Sequence, residues 1–325
     1  MLSKFEIQQW RETGYILTNN IIDKDILLKS VKFINKKYYD KKSCPNTFGS
    51  INGELEFPCN EILDWMAIDN NLISCAKQLL NSENILLTQC DTWGKHGSKN
   101  SCDFNNAQKN TNQRIHMDYG NNTFLHPIEW YKQPEAVSAI IYLSDTEITG
   151  GGTAVVPKKS ATNELYEPPY INMPGQAKLK FYNDKKHAEE YISKVDPLIA
   201  FIRNKLYTHE KILKPKIGDI LFYRLDTWHR GTPVKPNKVR NVMNIMWKKR
   251  DCYWINTWNK SWTKNMYYEK LENFFTKMNP KQRSVLGIPL PGDKYWTLKN
   301  IKNLLARYPN INIKPYLEKL YLSKL

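Results

Sequence analysis

The chain has 325 residues, 41% of them hydrophobic and 25% charged, with a formal net charge of +16 and a pI near 9.4. Those proportions are those of a soluble globular protein long enough to bury a sizeable core. The sequence contains no run of about eighteen apolar residues and no charged-then-apolar segment at Met1, which argues against a transmembrane helix or a secretion signal and leads us to expect an intracellular, cytoplasmic protein.

The chain reads in order as follows. Ser3 with Glu6 three residues on forms a capping box, so a short helix should run to Thr13 and stop at Gly14. Tyr15 to Ile22 reads as a strand, and Lys24 to Tyr39 as a helix with Ile26, Leu27, Val31, Ile34 and Tyr38 at helical spacing. Lys41 to Pro58 carries loop signals, Asn71 to Leu80 a helix, and Ile85 to Thr92 a strand. Lys95 to Asn112 is polar and delivers the chain to Arg114-Ile115-His116-Met117-Asp118-Tyr119-Gly120, which a polar-aromatic segment, Phe124 to Tyr131, follows.

Ala136 to Ser144 is the clearest buried strand, and Gly150-Gly151-Gly152 turns the chain into a second, Thr153 to Val156. Lys158 to Pro215 is long for a connection and contains a helix-like stretch from Lys185 to Lys205, so it reads as an insertion over a barrel. Strands are expected at Ile220 to Arg224 and Val239 to Trp247. In the tail, Trp254, Trp258, Trp262 and Met266 recur every four residues as one stripe, better read as core packing than as a base-stacking face. Thr297 caps a further helix, and Pro315 opens the last one. Neither repeats nor a linker divide the chain, so the organisation expected is one domain, 1–325: helices and first strands over 1–112, a core over 113–250 with the insertion at 158–215, and a helical extension over 251–325.

Chemistry concentrates in few residues. If His116 and Asp118 lie on a strand, the two-residue period puts both side chains on one face. A second His from a neighbouring strand would complete a 2-His-1-carboxylate triad, the arrangement that holds non-haem Fe(II) with open positions. Chance readily supplies a lone His-x-Asp, so the pair draws its weight from its companions. Arg240 follows His229 on a strand whose face also carries Val242, Asn244 and Met246. A guanidinium pointing into a barrel needs an anion, and a carboxylate matches it bidentately.

Taken together, Arg114-x-His116-x-Asp118-Tyr119-Gly120, the Gly150 to Pro157 turn, and Trp228-His229-Arg230-Gly231-Thr232-Pro233 with Arg240 resemble the phytanoyl-CoA dioxygenase-like branch of the Fe(II)/2-oxoglutarate dioxygenases. The resemblance covers roughly residues 1 to 250. It implies a mainly β fold with flanking helices, built on a double-stranded β-helix of the jelly-roll, cupin-like kind. It implies that His116, Asp118 and His229 hold Fe(II), that Arg240 binds the distal carboxylate of 2-oxoglutarate, that Thr232 adds a hydroxyl to that carboxylate and that Tyr142 lines the pocket. The chemistry implied uses O2, releases succinate and CO2, and hydroxylates a small molecule. In related halogenases a small residue replaces the carboxylate, whereas Asp118 is present. The chain departs from the family at Pro157-Lys158-Lys159-Ser160, where many relatives carry Pro-Gly-Ser-His.

Two other readings stay open at the level of sequence. The net charge fits the same chemistry on nucleic acid or a nucleic-acid-bound protein, although the lysines are spread in twos with no block of five or six. A catalytically silent barrel serving as a binding module is the other. The remaining histidines, His96, His126, His187 and His209, lie in polar loops or on a helix and are not expected to bind iron. The triple glycine lacks the pattern of a phosphate-binding loop. Cys44, Cys59, Cys75, Cys90, Cys102 and Cys252 are scattered with no Cys-x-x-Cys pair, as in reduced structural thiols.

Overall fold

A computed structural model describes residues 1–37, 55–56, 59–97, 111–118, 134–166, 179–252, 276–277, 279–280, 283 and 288–322. The capping box forms as its sequence dictates. The Ser3 hydroxyl accepts from the Glu6 N–H and the Glu6 carboxylate accepts from the Ser3 N–H, which starts α1 (Lys4–Thr13). Gly14 ends it at φ 87, where only glycine is free of strain.

β1 (Tyr15–Thr18) is shorter than expected, because Asn20 adopts a left-handed φ of 56 and turns the chain. α2 (Lys24–Lys37), β2 (Leu55–Glu56), α3 (Glu61–Ala67) and α4 (Asn70–Leu80) follow. Asn60 and Asp69 cap the last two helices, and α3 had no counterpart in the sequence reading. β3 (Ile85–His96) runs beyond the expected Thr92, so Lys95 belongs to a strand rather than to a loop.

Next come β4 (Ala136–Tyr142), a single helical turn α5 (Thr146–Thr149), and β5 (Thr153–Val155). The helix expected from Lys185 to Lys205 is two helices, α6 (Lys185–Val195) and α7 (Pro197–Thr208). The break has a local cause: Pro197 disfavours helical geometry at the residue before it, and Asp196 sits at φ −152, ψ 88, ending one helix and capping the next. β6 (Lys211–Ile212), β7 (Ile220–Tyr223), β8 (His229–Gly231) and β9 (Val239–Lys249) complete the strands. In the C-terminal part, Thr297 caps α8 (Leu298–Arg307), and α9 (Lys314–Leu322) contains Pro315. Ile288, Tyr295, Trp296, Ile301, Leu304, Tyr308, Ile311 and Tyr316 form a cluster of their own there.

The strands form two antiparallel sheets, one ordered β1-β7-β4-β9-β3-β2 and the other β6-β5-β8. Every residue of β4 is buried, because both faces of the large sheet are covered. Val137, Ala139, Ile141, Phe222, Met243, Ile245 and Trp247 face outward and share a core with Trp10 of α1, Ile34 of α2, Met66 of α3 and Leu72 and Leu79 of α4. The alternate residues Trp93, Ile140, Tyr142, Leu221, Tyr223 and Val242 face inward and meet Val155 of the small sheet. The architecture is therefore mainly β with flanking helices, a jelly-roll whose two sheets enclose an interior.

The segments 98–110 and 119–133, which include Phe124 to Tyr131, lie outside the described residues, as do Trp254, Trp258, Trp262 and Met266. Among the described residues no helix is long and apolar enough to cross a membrane.

The end of α1 is tied to the loop before β8. The Gly14 carbonyl accepts from Arg224 N–H at 2.9 Å and from the Thr227 hydroxyl at 2.8 Å. A Cβ at Gly14 would lie 2.5 Å from Thr227 Oγ1 on a backbone at φ +87. Gly14→Ala should therefore destabilise the fold by about 1–3 kcal/mol, read as a lowered midpoint in urea unfolding; an unchanged midpoint would contradict this account.

Candidate metal centre

His116 and His229 come together through the backbone. They form an antiparallel bridge, with His116 N–H donating to His229 O at 2.9 Å and His229 N–H donating to His116 O at 2.8 Å. The segment carrying His116 thus extends the small sheet beyond β8, held by bridges at His116 and, on its other side, from Gln113 to Asp184, rather than as a regular strand.

Each imidazole is oriented by a carbonyl two residues upstream. His116 Nδ1 lies 3.2 Å from Arg114 O, and His229 Nδ1 lies 2.9 Å from Thr227 O. A carbonyl only accepts, so each ring carries its proton on Nδ1 and presents a lone pair at Nε2. Both Nε2 atoms are 3.6 Å from the same oxygen, Asp118 Oδ1. The other oxygen, Oδ2, accepts a hydrogen bond of 2.6 Å from the Tyr223 hydroxyl.

The three side chains are buried, and their donor atoms lie within 4.8 Å of one another. Burial, followed by the neighbouring His229 and Arg114, holds His116 well below the usual imidazole range, which keeps it in the neutral, ligating form. Two neutral nitrogens and one carboxylate oxygen on a common side are a donor set suited to a divalent first-row metal, with the opposite side left open.

The triad opens on a cavity whose wall includes Trp93, Gln113, Thr153, Tyr223, Arg240 and Asn244. Arg240 is buried with its guanidinium 4.9 Å from the Trp93 ring centroid, and its Nε has no hydrogen-bond partner among the described residues. Burial also lowers its pKa. A buried guanidinium with unspent donors is what an incoming carboxylate would satisfy.

The glycine turn makes room for this residue. Gly151 has φ 75, and a Cβ there would lie 2.6 Å from Val234 Cγ2 and 3.3 Å from Arg240 Cβ. The two hydroxyl-bearing candidates are placed differently. Thr232 Oγ1 donates to the Gly152 carbonyl at 2.7 Å, so its proton is used within the turn. Tyr142 shares a 2.6 Å hydrogen bond with Thr153 Oγ1, and it is Thr153 that stands on the cavity wall.

Other basic residues near the barrel are neutralised internally. Arg230 makes paired bonds of 2.7 Å to Glu210, Arg203 binds Glu189, and Arg224 and Lys158 share Asp226. Of the other histidines, His187 binds Asp184 at 2.8 Å, His209 ends α7 and His96 ends β3; His126 is outside the described residues. Sequence reasoning did not single out Tyr223, Thr153, Trp93 or Lys95. Period-two alternation along β5 and β7 sorts Thr153 and Tyr223 onto a face, but which strands become neighbours, and so which residues meet at the site, is not written in that alternation.

No family model matches the chain, and none of the curated proteins matches it at a significant level. The fold does match solved structures. The non-heme alpha ketoglutarate dependent carbocyclase SnoK from nogalamycin biosynthesis aligns with a TM-score of 0.52 at 13% identity, over 78% of this chain and 87% of that one. The epimerase SnoN in complex with Fe3+, alpha ketoglutarate and nogalamycin RO aligns with a TM-score of 0.50 at 14% identity, over 76% and 83%. EctD from S. alaskensis with 2-oxoglutarate and 5-hydroxyectoine aligns with a TM-score of 0.50 at 13% identity, over 79% and 80%. At such identities the likeness establishes the fold alone.

The Tyr223 hydroxyl fixes Asp118 through Oδ2 and leaves Oδ1 facing the two imidazole Nε2 atoms. Tyr223→Phe should weaken metal affinity by about 10- to 100-fold, measured by competition with a chromogenic chelator; affinity within twofold of the parent would refute the orienting role.

Proposed function

We propose that this protein is an Fe(II)/2-oxoglutarate-dependent oxygenase of the phytanoyl-CoA dioxygenase-like kind, a single dioxygenase domain working inside the cell and hydroxylating a small molecule. His116, Asp118 and His229 are its iron ligands, and Arg240 is its anchor for the distal carboxylate of 2-oxoglutarate. The observation that carries this reading is the meeting, in one cavity, of the buried triad with a buried arginine whose Nε lacks a hydrogen-bond partner among the described residues. The fold shared with SnoK, a non-heme alpha ketoglutarate dependent carbocyclase, and with EctD, solved with 2-oxoglutarate and 5-hydroxyectoine, supports it.

Fe(II), 2-oxoglutarate and O2, bound together, supply an oxidative decarboxylation to succinate and CO2 coupled to oxidation of a substrate C–H bond. The chain contributes orientation and exclusion of water. The carbonyls of Arg114 and Thr227 fix both imidazoles in one tautomer, and Tyr223 fixes the carboxylate. Arg240, steadied over Trp93, holds the co-substrate's far end, with the Thr153 hydroxyl nearby on the cavity wall. Tyr142 and Thr232 serve this subsite through hydrogen bonds to Thr153 and to the Gly152 carbonyl. Presence of the carboxylate ligand Asp118 favours hydroxylation over halogenation. The internal pairing of Arg203, Arg224 and Arg230 spends cations that a nucleic-acid groove would need, which favours the small-molecule reading.

Incubated with Fe(II), 2-oxoglutarate and O2, the protein should release succinate slowly even without its substrate, and His116→Ala and Asp118→Ala should abolish that release. Arg240→Met should raise the KM for 2-oxoglutarate at least about 30-fold, the equivalent of about 2 kcal/mol for losing one partner of a buried charge pair. No succinate from the parent protein, together with no binding of 2-oxoglutarate, would leave the barrel as a binding module.

A further inference from the structure

Lys95 is a second buried cation at the same end of the cavity. It stands directly opposite Arg240 in the β3–β9 register, and the two side chains share the inward face. Residues paired in this way have Cβ atoms only about 4.5–5.5 Å apart. The Lys95 Nζ donates to one neutral acceptor, the Thr232 carbonyl, at 2.9 Å, and no acidic group among the described residues offsets its charge. Burial, then Arg240 and Arg230, push its pKa well below the ordinary lysine value.

An ammonium has three donors, and among the described residues one is used. Two adjacent buried cations without a carboxylate between them are costly, and an anion bridging them would remove that cost. The wall between Lys95 and the cavity is thin at one point. Gly231 lines the cavity, and a Cβ built on it would sit 3.6 Å from Lys95 Nζ and 3.3 Å from Gln113 Oε1. The absence of a side chain at 231 leaves the ammonium a path to the cavity beside Thr153, which pairs with Gly231 across the small sheet.

We propose that Lys95 is a second positioning cation for the co-substrate, sharing with Arg240 the distal carboxylate of a 2-oxo dicarboxylic acid and using the Thr232 carbonyl to hold its ammonium in place. The inference rests on the proposed function and assigns the preference for a dicarboxylate over a monocarboxylate to a pair of residues rather than to Arg240 alone.

The test is calorimetric binding to Mn(II)-loaded protein, without turnover, using 2-oxoglutarate and 2-oxobutanoate, which lacks the distal carboxylate. Lys95→Met, nearly isosteric and uncharged, should weaken 2-oxoglutarate binding tenfold or more and change 2-oxobutanoate binding less than twofold. Gly231→Ala, which places a methyl between Nζ and the cavity, should shift the two ligands in the same selective way and guards against a folding defect in Lys95→Met. Equal effects on both ligands, or none on either, in the folded variants would overturn the role of Lys95 while leaving the oxygenase reading in place. A parent protein that binds neither ligand would overturn both.

Discussion

The site depends on one backbone pairing, the reciprocal hydrogen bonds between His116 and His229. Two such bonds contribute only about 0.5–1.5 kcal/mol each to stability, yet they decide the chemistry. Residues facing each other across an antiparallel bridge project to the same side, so the pairing aims both imidazoles at Asp118 Oδ1, with the two ring centroids 4.4 Å apart. The rings then need only a tautomer, and the chain supplies it from the nearest source, the carbonyl two residues back on each segment. Register is therefore the critical variable. A slip of one residue would turn one histidine to the face opposite the other.

That register is held from further away. β8 is pinned on one side by β5, with Val155 opposite His229 and Thr153 opposite Gly231, and on the other by the His116 segment. Behind it, the loop from Arg224 to Thr227 is tethered to the carbonyl of Gly14, so the first helix of the chain braces the element carrying the second histidine. The outward face of the large sheet is filled by the helices of the N-terminal part, and this leaves the inward face free to carry polar groups. Most of the charges buried near it are matched: Arg230 with Glu210, Arg203 with Glu189, Arg224 with Asp226. Arg240 and Lys95 depart from that pattern: Arg240 lines the cavity, and Lys95 lies behind its wall at Gly231. Desolvation makes such an exception expensive in a resting scaffold and useful in a site that awaits an anion.

Much of this was legible in the sequence, and the parts that were not share a cause. The capping box at Ser3, the buried strand through Ile140 and the two-residue spacing of His116 and Asp118 are local patterns, and the architecture follows them, whereas His229 and Arg240 are joined to that pair by resemblance to a family. Local patterns also failed where one residue reversed them, as Pro197 did in dividing a long helix and Asn20 in shortening β1. The partners of the site were hidden for a different reason. Tyr223 reaches Asp118 across 105 residues of sequence, and Lys95 reaches Thr232 across 137. No periodicity within one strand announces such contacts, because they are fixed by which strands become neighbours. Tyr223 reads in isolation as an ordinary strand residue, and Lys95 as the start of a polar loop.

The glycine turn illustrates how a pattern can be recognised before its reason is known. In the folded chain its glycines answer separate steric demands. Gly150 and Gly151 take positive φ values of 73 and 75, and Gly151 also lies where a Cβ would press on Val234 and the stem of Arg240. Gly152 has no such backbone requirement, but a Cβ there would come within 2.2 Å of the Leu213 carbonyl, which accepts no crowding because Leu213 N–H is itself bonded to Thr153 O at 2.9 Å. The turn therefore does two jobs at once. It lets β5 approach β6 closely enough to pair, and it lets Arg240 extend beside it toward Trp93. Because β5 in turn sets the register of β8, the residue that would bind the co-substrate and the strand that carries His229 of the candidate metal centre are positioned by the same three glycines.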